Sequence, residues 1–373
     1  MSQLNFLDKL LAGAEVEWCR LEKVVKIKHG KDWKDLNAGN IPVYGSGGIM
    51  GYVDQYSYDK PTVLIPRKGS ITNIFFVETP FWNVDTIYYT EIDTSKVLPK
   101  YLYHYVKTID LMALDTGSGR PSLTQAILNQ IPIPIPCPEN PKKSLEVQVE
   151  IVRILDAFTE LTAELTTELT ARKKQYSYYR DQLLSFKEGE VEWKTLGETC
   201  DVYTGGEAPE SSSMSKAPTD IYKYPIFGNG AEVYGYTDRY RIDKDAVTIS
   251  SIGANTGTIY FRKAYFTPII RLKVVIPKQE GILPRYLFHA LSSIAIGSKS
   301  SSVPNMNAAD VKRISIPVPS INNQARIATI LDKFDALTNS ISEGLPREIK
   351  LRQKQYEYYR ELLLSFPKPD GTT

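Results

Sequence analysis

Arg172–Phe186 reads RKKQYSYYRDQLLSF, and Arg352–Phe366 reads RQKQYEYYRELLLSF. Both copies space their apolar residues for one face of a helix and close on Leu-Leu-Ser-Phe. A near-copy of this length makes the chain a duplication. Working outward, QVEIVRIL (Gln148–Leu155) returns as QARIATIL (Gln324–Leu331), and IPIPIP (Ile131–Pro136) returns as ISIPVP (Ile314–Pro319). LPKYLYH (Leu98–His104) returns as LPRYLFH (Leu283–His289), PVYGSG (Pro42–Gly47) as PIFGNG (Pro225–Gly230), and Gly51-Tyr52 as Gly235-Tyr236. Val16-Glu17-Trp18 returns as Val191-Glu192-Trp193, so the order is the same in both halves. The repeat is also circular. Phe6–Leu11 (FLDKLL) matches Tyr179–Leu184 (YRDQLL), and both lead into Val-Glu-Trp. Residues 1–17 therefore read as the last turns of a helix whose body lies at the other end, with the termini close together and a pseudo-twofold axis through the molecule.

The helical stretches carry stripes. The first is Ile151, Leu155, Phe158, Leu165, Leu169, Tyr176, Tyr179, Leu183 and Phe186, with Thr162 and Arg172 as polar exceptions. Steps of four and three make this the seam of a left-handed coiled coil. The second stripe is Ile327, Leu331, Phe334, Thr338, Ile341, Leu345, Ile349, Arg352, Tyr356, Tyr359, Leu363 and Phe366. Four extra residues between Leu345 and Arg352 make a stutter, and Gly344 and Pro346 predict a kink there. At 1.5 Å per residue, each helix of about 40 residues is ~60 Å long. The stripes predict that the two helices pack on each other, antiparallel.

Composition sets the bounds. The chain has 373 residues, 42% hydrophobic and 24% charged, which excludes disorder and allows two or three domains. A net charge of +2 means that nucleic-acid binding cannot be read from totals, only from local patches. Cys19, Cys137 and Cys200 are odd in number and far apart, which predicts a reduced cytoplasm and no zinc site. No run is long enough for a membrane span, and the N-terminus has no signal-peptide pattern. Walker A, His-Glu-x-x-His, Gly-x-Ser-x-Gly and the methyltransferase Asn/Asp-Pro-Pro-Tyr/Phe motif are all missing, so no catalysis is expected of this chain alone. Ser213-Met214-Ser215-Lys216 has no partner motif, and Gly45-Ser46-Gly47-Gly48 lacks the third glycine of a dinucleotide fingerprint.

The expected organisation is α+β. An N-terminal helical segment (1–17) precedes a first globular α/β domain (18–143) and a spacer helix (144–188). A second globular domain (189–319), a second spacer helix (320–366) and a tail (367–373) follow. In the globular parts, Thr62–Pro66 and Ala246–Ser250 read as buried strands that end in corresponding loops of different chemistry. The first loop supplies Arg67, Lys68, Ser70, Thr72 and Asn73; the second supplies Ser251, Asn255 and Thr256. Arg and Lys suit guanine or phosphate, and Asn suits adenine. The same reading adds Ser46, Ser118 and Arg120 in the first domain, and Asn229, Arg239, Arg241, Ser300 and Ser301 in the second. Ser122 is expected to open a capping box for a short helix and Asn305 to cap its equivalent. His104 and His289 occupy matching helix positions beside aromatic residues and are expected to pack, not to catalyse.

These features together resemble the specificity subunit of type I restriction-modification systems. The two Pro-rich strand exits and the beginnings and ends of both helices carry the resemblance, which covers essentially the whole chain. It implies two target-recognition domains, each reading one half of a split, asymmetric site on double-stranded DNA. It also implies that the helices act as a ruler and dock two methyltransferase subunits, with restriction subunits joining the complex. No cofactor is implied for this chain; S-adenosylmethionine, ATP and magnesium belong to the partners. A duplicated coiled-coil adaptor whose globular arms bind proteins stays open as the alternative.

Overall fold

The computed structural model describes residues 11, 13, 15–115, 119–253, 255–278, 281–294, 306–340 and 342–366. Two compact units emerge: unit 1 from residues 1–165 and 349–373, unit 2 from residues 166–348.

Unit 1 runs through β1 (Val16–Arg20), β2 (Val25–Lys28), β3 (Ala38–Gly45), β4 (Gly48–Val53), β5 (Thr62–Pro66), β6 (Phe75–Val77), β7 (Trp82–Asn83), β8 (Ile87–Ile92), α1 (Pro99–Val106), α2 (Gln125–Asn129) and β9 (Pro132–Pro136). It then enters α3 (Pro141–Leu183). Its sheets are β1-β9, β2-β8-β5-β6 and β4-β3-β7. Unit 2 follows with β10 (Glu192–Thr195), α4 (Leu196–Thr199), β11 (Cys200–Thr204), β12 (Tyr224–Phe227), β13 (Val233–Thr237), β14 (Ala246–Ile249), β15 (Ile259–Arg262), β16 (Thr267–Pro268) and β17 (Lys273–Pro277). Next come α5 (Pro284–Ser293), α6 (Ala308–Lys312), β18 (Ser315–Val318) and α7 (Ile321–Asn339). Its sheets are β10-β18, β11-β17-β14-β15 and β13-β12-β16, which repeat those of unit 1 strand for strand.

The burial pattern explains these elements. β5 and β14 lie inside their sheets, and every residue of both is buried, which is why they are apolar without alternation except for one threonine each, Thr62 and Thr248, whose hydroxyls donate to the carbonyls of Thr90 and Tyr260. β9 reads PIPIP. Prolines at alternate positions put each missing N–H on the same edge, so this strand pairs with β1 alone. Pro99 and Pro284 sit in the first turn of α1 and α5, where the missing N–H costs nothing. The Tyr101 and Tyr286 hydroxyls, fully buried, donate to the carbonyls of Pro134 and Pro317, each at 2.8 Å. Each globular lobe is thereby bolted to its Pro-rich strand.

A second set of buried polar bonds ties each lobe to its helices. Gln148 accepts from the Leu98 N–H (2.8 Å) and donates to the Lys96 carbonyl (2.9 Å). Gln324 does the same with the Leu283 N–H (3.0 Å) and the Gly281 carbonyl (2.9 Å). His104 and His289 are 1% and 0% exposed. His104 Nε2 donates to Asp156 of α3 (2.9 Å), and the Tyr356 hydroxyl donates to its Nδ1 (3.0 Å). His289 Nε2 donates to Asp332 of α7 (2.6 Å), and Tyr176 donates to its Nδ1 (3.2 Å). Lys100 and Arg285 complete the two clusters on Asp156 and Asp332. Burial lowers both imidazoles, and the carboxylates offset this only in part, so the rings are held neutral. The histidines therefore pack and bond as expected from their place beside aromatic residues.

These bonds decode the repeated sequence. Tyr176 and Tyr356 hold the histidines, Arg180 and Arg360 lie over those tyrosine rings, and Leu184, Leu363, Leu364 and Phe366 are buried. Ile151, Leu155, Ile327 and Leu331 are also buried, while Leu165, Leu169, Leu183 and Leu345 are only half-buried. Phe158 stacks on Tyr359 (5.1 Å) in unit 1, and Phe334 on Tyr179 (5.5 Å) in unit 2. Leu11 shares the unit 1 core with Leu363 and Phe366. The rest of the expected N-terminal helix up to Leu10, and Ile341, lie outside the described residues.

Three expectations change. The second spacer is not one kinked helix over 320–366; α7 stops at Asn339 and α8 (Gly344–Leu364) begins after a break. Gly344 takes φ +79°, and a Cβ there would run into the carbonyls of Ala336 and Leu337. Ser122 caps nothing; it bridges to Lys68, and Thr124 caps α2 by accepting from the Ile127 N–H. Asn307 caps α6 in a capping box with Asp310, whereas Asn305 lies outside the described residues. No helix among the described residues is long and apolar enough to cross a membrane.

Candidate nucleic-acid interface

The loops at the ends of β3, β5 and β7 converge in unit 1. Arg67 and Lys68 follow β5, and their N–H groups donate to the Thr86 carbonyl at 2.8 and 3.3 Å. Arg67 Nη1 reaches the Asp85 carbonyl (3.4 Å), and the Arg67 carbonyl accepts from Leu123 (2.8 Å). Gly69 turns the chain at φ +82° and donates to Pro121 (3.0 Å), which brings the 67–73 loop beside the segment that carries Arg120. Asn73 Nδ2 donates to the Ser46 carbonyl (3.2 Å), and the Ser46 N–H donates to Thr86 Oγ1 (3.3 Å). Ser46, Arg67, Lys68, Asn73 and Arg120 thus belong to one surface. Lys68, Ser70, Thr72, Asn73 and Arg120 are exposed on it; Ser46 and Arg67 are half-buried. Ile49, Met50 and Tyr52 of the adjoining β4 are each more than half exposed.

Unit 2 builds the same corner from different parts. Ser251 stands where unit 1 has Arg67, and Asn229 where it has Ser46. Neither is an exposed contact. Ser251 is fully buried, with its hydroxyl donating to the Arg271 carbonyl (2.7 Å). The Asn229 amide is spent on backbone: Nδ2 donates to Ile270 (2.6 Å) and Oδ1 accepts from the Ser251 N–H (2.7 Å). Both were expected on the surface, but short side chains next to a sharp turn bond backbone first. Thr256 likewise donates to the Gly253 carbonyl (2.7 Å), within the tight 250–258 hairpin loop, and Asn255 is left exposed at its tip. Arg239 and Arg241 are exposed and line a groove of about 540 Å³ with Glu207, Glu210 and Asp238. The acidic wall makes this groove mixed in charge. Ser118, Ser300 and Ser301 lie outside the described residues.

Four further residues were not legible in the sequence. Arg262, on β15, is 8% exposed and stacks on Phe227 (3.8 Å) and Tyr260 (4.7 Å). Its Nη1 and Nη2 donate to the carbonyls of Ala231 (3.0 Å) and Gly230 (2.8 Å), which props the turn that holds Asn229. Among the described residues no acid forms an ion pair with it, and burial brings its pKa down to about 10. Lys273 is 4% exposed, donates to Thr204 Oγ1 (3.3 Å), and is lowered by burial and then by the Arg271 charge. Ile270 and Arg271 are both left-handed, φ +53° and +56°. The Tyr260-Phe261-Arg262 end of β15 is ambiguous in sequence, since period-2 alternation points Arg262 to the core or to water with equal ease.

The surface offers hydrogen-bond donors and cations, and among the described residues no group of His, Cys, Asp and Glu could hold a metal ion. The model for the type I restriction modification DNA specificity domain matches the chain twice, over residues 14–172 and 188–351. The chain belongs to the family of type I restriction-modification specificity subunits. It is 41% identical to the EcoR124I/EcoR124II specificity subunit of Escherichia coli, with 99% of each chain covered. It is 35% identical to a putative type I specificity subunit of Haemophilus influenzae, over 97% of this chain and 98% of that one. Its fold is similar to the crystal structure of the S subunit from M. genitalium, with a TM-score of 0.69 at 17% identity over 96% of this chain and 97% of the other. The two family matches fall on the two halves of the duplication, so each half of this specificity subunit carries one corner of the kind described above.

Proposed function

We propose that this specificity subunit is a non-catalytic reader of double-stranded DNA. Each globular domain reads one half of a split, asymmetric site. The helices pair as an antiparallel coiled coil, set the spacing of the halves and dock two methyltransferase subunits, to which restriction subunits add. The methyltransferases bring S-adenosylmethionine, and the restriction subunits bring ATP and magnesium. One observation carries the reading: two lobes of identical strand topology hold corresponding loops of different chemistry, Arg67-Lys68-Gly69 against Ser251-Ile252-Gly253. Protein docking by a duplicated adaptor would not need that difference; reading two different half-sites does.

The test is to co-express the chain with a type I methyltransferase of its family and map methylated adenines across a genome. A single split motif with an unread spacer supports the reading. A stable complex that methylates nothing favours the adaptor. Replacing residues 18–140 with another member's first domain should change one half of the motif only; a change in both halves would sink independent reading.

A further inference from the structure

Two consecutive residues of unit 2, Ile270 and Arg271, sit in the left-handed region. Neither is glycine or asparagine, and side chains of this size rarely adopt it. The surroundings over-determine the corner. Asn229 Nδ2 bonds the Ile270 carbonyl (2.6 Å), Ser251 Oγ bonds the Arg271 carbonyl (2.7 Å), and the Ile270 N–H donates to Gly206 (2.8 Å). Leu272 closes the turn on the Ile269 carbonyl (3.1 Å). Arg271 is left exposed on this fixed base, and its charged neighbour is the buried Lys273. Among the described residues, no acid pairs with either cation.

We propose that Arg271 is a base-reading residue of the second domain, donating two hydrogen bonds to the major-groove edge of a guanine in its half-site. The inference rests on the DNA-reading function and adds a residue to it. A phosphate can be met by a flexible cation from many directions. A bidentate contact to guanine O6 and N7 needs the guanidinium aimed at the base edge, and a locked backbone corner contributes by fixing the direction in which the Arg271 side chain leaves the chain, so that less of its reach has to be ordered on binding. Unit 1 makes the complementary choice. The corresponding Asp85-Thr86 carries no left-handed residue, and the arginine comes from the facing loop as Arg67, bonded to the Asp85 carbonyl (3.4 Å). Each domain thus brings one arginine to the corner, from opposite loops.

The experiment uses the complex with its methyltransferase. Target selection, affinity for the cognate duplex by fluorescence anisotropy over a salt series, and thermal unfolding are compared for wild type, Arg271→Ala, Arg271→Lys and Arg271→Gly. Arg271→Ala should bind the cognate site about 10- to 100-fold more weakly and lose one G·C position from one half of the motif. Arg271→Lys should not restore that position. Arg271→Gly should lose it too while unfolding at the same or a higher temperature, because glycine adopts the left-handed region freely. An intact motif with uniformly weaker binding and a salt slope smaller by about one would overturn the proposal in favour of a phosphate contact. Unchanged binding would overturn it as well. A wild-type complex that selects no split motif would sink the DNA-reading function itself, a result distinct from either.

Discussion

The collar that joins each lobe to its helices and the corner of loops at the lobe's far end follow opposite rules. In the collar, Gln148, Tyr101, His104, Asp156 and Tyr356 of unit 1 are matched by Gln324, Tyr286, His289, Asp332 and Tyr176 of unit 2, bond for bond. In the corner, Arg67 is replaced by Ser251, and a buried valine on β6, Val77, by the buried Arg262. The difference teaches that one frame has been kept twice while the surface it presents has been rebuilt. The frame consists of bonds whose loss leaves buried groups unpaired, which explains why it tolerates little change.

The sharpest way to break the comparison is to remove a glutamine from one collar only. Gln324→Ala leaves the Leu283 N–H and the Gly281 and Pro319 carbonyls without their partner and should cost about 3 kcal/mol, with Gln148→Ala costing the same in unit 1. Urea unfolding of each variant would reveal unequal costs and so disprove equivalence. A smaller effect, about 1.5 kcal/mol, is expected from Tyr176→Phe or Tyr356→Phe, each of which leaves a buried imidazole nitrogen unpaired; a pair of values that disagree by more than half would show that the collars differ.

Acid should act on both collars together. His104 faces Asp156, Lys100, Lys107 and Tyr356; His289 faces Asp332, Asp335, Arg285 and Tyr176. Their folded pKa values lie below the ordinary 6.5, so the unfolded chain takes up these protons first. Their contribution is full above about pH 6.5 and is lost as pH falls through the lowered folded values. Melting temperatures at pH 7.5 and 6.0 should therefore differ in wild type and differ less in a His104→Gln, His289→Gln double variant. The smallest change in stability is expected in the corner. Arg262→Met should shift unfolding by no more than about 1 kcal/mol, since the buried guanidinium pays for its own desolvation. Amide exchange at residues 229–231 should nonetheless accelerate, because the props on Gly230 and Ala231 are gone.

Legibility in the sequence followed the same division. The duplication, the Pro-rich strands, the buried β5 and β14 and the helical stripe could be read because their signals are periodic or repeated. The corner could not. Nothing in Ile270-Arg271 announces a left-handed turn, since tertiary bonds from Asn229 and Ser251 impose it. Those two residues looked like exposed contacts because polarity suggests surface, and only the fold shows that backbone groups claim them. The break between Asn339 and Gly344 shows in the sequence only as a kink, since a stripe that stays in phase across four extra residues conceals an interruption.

Unit 1 draws its core from both ends of the polypeptide: Ile151 and Leu155 share it with Tyr356, Leu363 and Phe366. Unit 2 needs nothing beyond Glu348. During synthesis the order of completion is therefore the reverse of the order of translation. The first lobe to leave the ribosome waits, with His104 unpartnered by Tyr356, until nearly all of the chain has been made, while the second lobe can close before it. A ribosome stalled between the two would release a protein with one finished reader and one open core, a natural substrate for chaperones and proteases.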